Sequence, residues 1–217
     1  MSFEPSFADL PALLPIFPLT GVLLLPRGRL PLNIFEPRYL AMTQYALAHG
    51  RFIGMIQPHE GRGDAGDPPL YRTGCVGRIV EFAETPDGRY VMTLKGVARF
   101  DVATEPARTE MFRFVDADYS RWREDFEEDQ AGVDRDHLVA ALRPFFERQG
   151  IGADSDVLTS APIEHLVNSL AMACPFSPRE KQALLEAERT AERARVLTAL
   201  VEMSVASTVP PGANSRN

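Results

Sequence analysis

The residues of this 217-residue chain that could do chemistry are few, and their spacing does not suit catalysis. His49, His59, His137 and His165 are scattered, with no H-E-x-x-H run and no Cys/His spacing that would close a tetrahedral zinc site. Cys75 falls in a strand pattern, and Cys174 sits between Ala173 and Pro175 at a helix end. Each reads as a buried inert thiol, because a nucleophile needs a neighbourhood that favours the thiolate. Ser169 lies inside an apolar helical pattern, and no G-x-S-x-G run supplies the strained turn that exposes a hydrolase serine. No G-x-x-x-x-G-K-[ST] loop occurs, so the backbone nest and lysine that hold a triphosphate are missing. No catalytic, cofactor-binding or metal-ligating residue is expected.

The polar residues that remain suit recognition. In Phe35-Glu36-Pro37-Arg38-Tyr39, Pro37 fits the first position of a helix and Glu36 its positive end. Arg38 can pair with a carboxylate there, a structural role; a ligand contact by Phe35, Glu36, Arg38 and Tyr39 is the functional alternative. Arg27 and Arg29, in Pro26-Arg27-Gly28-Arg29, could present two guanidinium groups to an acidic partner or simply be solvated. Phe17, Leu24, Phe35, Phe82, Phe100, Phe112 and Phe114 form a core by alternation, with an exposed apolar groove as the alternative for some of them.

The elements that must position these residues change character along the chain. Up to about Asp118, short apolar runs separated by Gly, Pro and Asp predict a sheet-rich domain. Cys75 to Phe82 and Tyr90 to Leu94 flank Thr85-Pro86-Asp87-Gly88, a turn signal, so a hairpin is expected. A helix runs from Pro37 to Gly50 and a buried strand from Phe52 to Ile56. The segment His59 to Pro69 reads as a surface loop. Between Arg121 and Gln130 nearly consecutive acids predict a solvated connector. Beyond it Leu138, Leu142, Phe145 and Phe146, interrupted by Pro144, and then Ile163, Leu166, Val167 and Leu170, recur at helical spacing. Ser177-Pro178-Arg179-Glu180 combines an N-cap, a first-turn proline and a capping-box glutamate, predicting a long helix with Leu184, Ala187, Ala191, Ala194 and Val201 along one side. The organisation expected is a flexible tail over 1–11, a sheet domain over 12–120, an acidic connector over 121–133, a helical subdomain over 134–206 and a disordered tail over 207–217.

Composition limits the partners. The charge of −7 opposes a phosphate backbone, so nucleic acid is disfavoured. Leu10 to Leu25, broken by three prolines, is too short to span a bilayer, and Met1 to Leu10 has no basic residue to open a secretory signal. Two distant cysteines fit a reducing compartment, and a cytoplasmic location is expected.

Leu14-Pro15-Ile16-Phe17-Pro18-Leu19, then Val22 to Pro26 and Leu30-Pro31-Leu32, resemble the opening strands of the amino-terminal domain of Lon proteases. Ile34 to Tyr39, Gly74 to Ile79, the G-x-x-R-F run Gly96 to Phe100, and the stretch Leu166 to Leu200 are also similar to that family. The resemblance implies an α+β fold, a PUA-like pseudo-barrel with one inserted helix followed by a carboxy-terminal helical bundle. It also implies noncatalytic binding of proteins or unfolded segments, without cofactor or nucleotide and away from membranes. RNA binding, as in other PUA-like barrels, and a small-molecule enzyme using the cleft between subdomains are the alternatives.

Overall fold

A computed structural model of the chain describes residues 4–59, 68–127, 132–150 and 155–206. The central part of the loop expected over His59 to Pro69 and the tail after Ser207 lie outside those residues. Contacts divide the chain into two compact units, Met1–Glu128 with Asn168–Glu186, and Asp129–Val167 with Ala187–Asn217. Residues 168–186, placed with the helices by the sequence reading, group with the sheet.

The first unit holds β1 (Leu13–Pro18), β2 (Arg29–Ile34), α1 (Pro37–Ala48), β3 (Phe52–Ile56), β4 (Thr73–Glu84), β5 (Tyr90–Thr104) and β6 (Phe114–Asp118). The strands follow the order β2-β5-β4-β3-β1-β6, and β6 pairs again with β5, so five of them close into a ring. The length of β5 makes this possible. Its first half pairs with β2, Arg29 opposite Lys95 through Ile34 opposite Tyr90, and its far end pairs with β6. Residues 22–26 form no strand, although Leu23, Leu24 and Leu25 are buried.

Alternation fills the ring. Leu14, Ile16, Val76, Ala98, Phe100 and Val115 are fully buried in one cluster. Gly96 lets the 22–28 segment lie against β5, because a Cβ there would stand 2.0 Å from the Leu25 carbonyl oxygen. Gly96 donates to the Gly28 carbonyl at 2.8 Å and accepts from the Arg27 N–H at 2.9 Å.

The residues read as tail and connector pack on this unit instead. Phe7 meets Phe126 edge to face at 6.0 Å between ring centres, and the Tyr119 hydroxyl donates to the Pro11 carbonyl at 3.0 Å. Residues Ser120–Phe126 form a 3-10 helix that buries Trp122 and Asp125. The like-charge repulsion that predicted a solvated stretch is relieved at Asp125 by Arg99. The Arg99 Nη2 donates to Asp125 Oδ1 at 2.6 Å, its Nε to Oδ2 at 3.0 Å, and its backbone N–H to Oδ2 at 2.7 Å. The guanidinium also lies 3.9 Å from the Trp122 ring centre and donates to the Leu185 carbonyl.

The helices α2 (Arg135–Gln149), α3 (Ser155–Ser160), α4 (Ile163–Ala173), α5 (Pro178–Glu186) and α6 (Thr190–Ala206) follow. Polar bonds tie the 168–186 segment to the sheet's own unit. Asn168 donates to the Pro26 carbonyl, Gln57 to the Pro178 carbonyl, Gln182 to the Thr73 carbonyl, and the buried Lys181 ammonium to Gly21 at 2.9 Å. The capping box forms as expected, Ser177 N–H to Glu180 at 2.7 Å. The long helix predicted after it is two helices, α5 and α6, broken over 187–189. In the second unit α2 packs on α6, burying Leu138, Leu142, Phe145 and Phe146, with Pro144 held inside α2. Among the described residues no helix is long and apolar enough to cross a membrane.

Candidate functional site

The sequence candidates fall into two neighbourhoods of the first unit. Four stand at the start of α1. Phe35 is 61% exposed although it immediately follows a regular strand. Glu36 caps the helix by position without a side-chain cap bond, and its carboxylate accepts from Arg38 at 2.9 and 3.0 Å. Arg38 also lies 4.5 Å from the Tyr39 ring centre, and Tyr39 is buried against Phe17. Arg38 and Tyr39 share a notch of about 120 Å³ with Pro18, Pro58, Phe112 and the exposed Met111. The Arg38–Glu36 pair is solvated, so its partner is exchangeable.

Arg27 and Arg29 occupy the second neighbourhood, the outer face of β2, β5 and β4. Arg29 pairs with Glu81 at 2.6 Å, both exposed. Arg27 takes a left-handed backbone, φ 63°, and lines a cavity of about 380 Å³ with Arg78, Lys95, Val97, Phe126 and Glu4. Glu4 binds Lys95 at 2.6 Å. That hydrogen bond and the ammonium charge hold the Glu4 carboxyl below its usual range, with Arg27 adding to the effect.

One register joins the two neighbourhoods. Asn33 lies opposite Val91 and Arg29 opposite Lys95, and side chains repeat every second residue, so Asn33, Pro31 and Arg29 point to the same side as Val91, Thr93 and Lys95, and the exposed Phe35 follows them just past the end of β2 after the buried Ile34. Val91 is 46% exposed on that side, whereas the partly open Phe82 lies opposite Met92 and belongs to the other side. The outer face thus passes from apolar at the α1 end to cationic at the cavity.

A family model described as the ATP-dependent protease La (LON) substrate-binding domain matches residues 13–202. The chain belongs to that family. Lon protease 2 of Myxococcus xanthus is 28% identical over 181 residues, which are 82% of this chain and 22% of that protein. Lon protease of Anaeromyxobacter dehalogenans is 34% identical over 95 residues, 43% of this chain and 11% of that protein. The chain therefore spans about a fifth of the length of the Myxococcus relative. A Lon N-terminal domain protein from Xanthomonas campestris superposes with a TM-score of 0.61 at 25% identity, covering 86% of this chain and 97% of that one. The N-terminal domain of Mycobacterium avium complex Lon protease has the same fold, with a TM-score of 0.64 at 17% identity over 91% of this chain and all of that one.

Within this LON domain the sequence signals missed Lys95, Val91 and Glu4. Lys95 and Val91 are phase-mates on a strand whose other face carries the core, which alternation does indicate, but their meeting with Phe35 and Arg27 depends on β2 register. Glu4 carried no local signal. No group of three His, Cys, Asp or Glu among the described residues could hold a metal ion. The two thiols are buried, and burial pushes Cys174 up to about 11.

Proposed function

We propose that this LON domain recognises segments of other proteins without transforming them, on the outer face that carries Phe35 and Val91. The observation behind the reading is that Phe35 and Val91 are open to solvent on one side of a paired β2–β5 ladder. A rigid apolar surface costs solvation when bare and gains from covering an apolar side chain of an unfolded segment. Glu36 and Arg38, the latter backed by the Tyr39 ring, at one end and Arg27 and Arg29 at the other supply polar contacts that orient the segment.

The face serves better than the sheet edge. Counting rungs from the Gly28–Gly96 bond, Leu30 and Leu32 turn their main chain toward β5, which places Pro31 on the open side of β2. Proline has no N–H to offer an added strand, and a short proline-bearing edge is a blunted one.

The reading extends to a cytoplasmic protein that is not an enzyme, with neither nucleotide, nucleic acid nor membrane as partner. Its sheet domain, residues 12–120 with 168–186 grouped beside it, is a PUA-like pseudo-barrel that carries the recognition surface. A photocrosslinker at position 35, compared with one at the exposed Met203, tests the site. Crosslinks to an unfolded model protein are expected to concentrate at position 35; equal labelling at both positions would sink the assignment.

A further inference from the structure

The outer-face cavity contains a feature that apolar recognition does not use. Three cationic side chains, Arg27, Arg78 and Lys95, line it with two acids, Asp125 and Glu4. Both oxygens of Asp125 are taken by Arg99, so its charge is offset by a buried cation of its own. Glu4 is the acid presented to Lys95, and it arrives on a strap of chain held by the Ser6–Asp9 hydrogen bonds and by Phe7 against Phe126. The Glu4 side chain is 73% exposed and that of Lys95 37%, so this is a solvated pair of small net stability that another carboxylate can replace.

We propose that the cavity binds an aspartate or glutamate side chain of the recognised segment, and that Glu4 occupies its place as an internal stand-in until the segment arrives. The walls suit that occupant. Val80, Val97, Phe126 and Pro5 offer apolar surface around the cations, which matches a carboxylate on a hydrocarbon stem. The spacing follows from the strand. Val91 and Lys95 are four residues apart on one face of β5, roughly 13 Å at the rise of a strand, and an extended segment covers that distance in four residues. The preferred segment therefore carries an apolar residue and an acid in the pattern apolar-x-x-x-Asp/Glu. The chain's charge of −7 opposes a polyanion, whereas a single carboxylate meets only the local field of the cavity.

This inference rests on the reading of the outer face as a protein-binding surface, and the experiment separates the two. Two labelled peptides, capped at both ends and identical except for Leu-x-x-x-Glu against Leu-x-x-x-Gln, are titrated into the full chain by fluorescence anisotropy. The glutamate peptide is expected to bind about fivefold tighter at low salt, with the advantage shrinking as ionic strength rises. Lys95→Gln should abolish the advantage, and Glu4→Gln should tighten the glutamate peptide about fivefold while leaving the glutamine peptide unchanged. Equal affinities, or a Glu4→Gln variant that binds like the parent, overturn the acid site and leave segment recognition standing. So does failure of both peptides when an unbiased peptide library still yields saturable binders; a library with no binder overturns both. Displacement of the glutamate peptide by polyuridine at matched charge would contradict a protein segment as the occupant.

Discussion

Arg99 shows how one residue ties three stretches of this chain together. Its guanidinium bonds Asp125 twice, stacks on Trp122 and reaches the Leu185 carbonyl, all out of contact with water. Arg99→Met leaves Asp125 buried without its cation, and breaking such a pair costs about 3–5 kcal/mol. Urea unfolding should show that loss, and a change below about 1 kcal/mol would contradict the structural weight given to the pair. Cys174 offers a second check. Burial holds its thiol protonated up to about 11 against an ordinary value of 9.0, so iodoacetamide should label the native protein slowly at pH 8 and quickly once urea unfolds it. Fast native labelling would mean that the 168–186 segment opens readily. At this scale the sequence was partly legible. The burial of Cys75 and Cys174 could be read from their apolar surroundings, but the acids around Asp125 could not be sorted. Charge patterning treats Glu124, Asp125 and Glu127 alike, and only the fold brings a guanidinium from 26 residues upstream to one of them.

Among the elements, the hairpin, α1 and β3 were legible because their signals are local: a Pro-Asp-Gly turn, a proline at the first helical position and a short apolar run. The break between α5 and α6 was not, since alanines and charged residues at helical spacing run through 187–189 without a proline or glycine. Glycine positions carry a sharper test. Gly96→Ala would drive a Cβ into the Leu25 carbonyl, which belongs to backbone and cannot swing away, whereas Gly88→Ala meets nothing and must only tolerate φ 78°. Thermal unfolding should show Gly96→Ala as the costlier of the two, by about 2 kcal/mol or more against about 1 kcal/mol. Ser177→Ala removes the cap of α5 and should cost about 1 kcal/mol in the same assay. Phe35→Ser belongs to the opposite class. Its ring is open to water, so the melting temperature should hold within the change of about 0.5 kcal/mol typical of surface positions, while segment binding weakens.

For the whole molecule, the grouping of residues 168–186 with the sheet arises from contacts more than a hundred residues apart, such as Gln57 with Gln182 and Asn168 with Pro26, and the ring closes because β6 pairs both with its sequence neighbour β5 and with the distant β1, where Leu13 lies opposite Asp116. Sequence periodicity has no access to them; the resemblance to Lon amino-terminal domains implied a pseudo-barrel followed by a helical bundle and left 168–186 with the bundle. The same limit applies to the binding face. Phe35, Arg27 and Arg29 could be singled out by type, but Val91 and Lys95 join them only through the β2–β5 register. Capture of protein segments by this face is the central proposal. It is tested most directly by backbone amide NMR of the 24.1 kDa chain titrated with an unfolded model polypeptide. Saturable shifts centred on Phe35, Val91 and Lys95 are predicted. Shifts confined to α2 and α6, or no saturable shift at any residue, would contradict it.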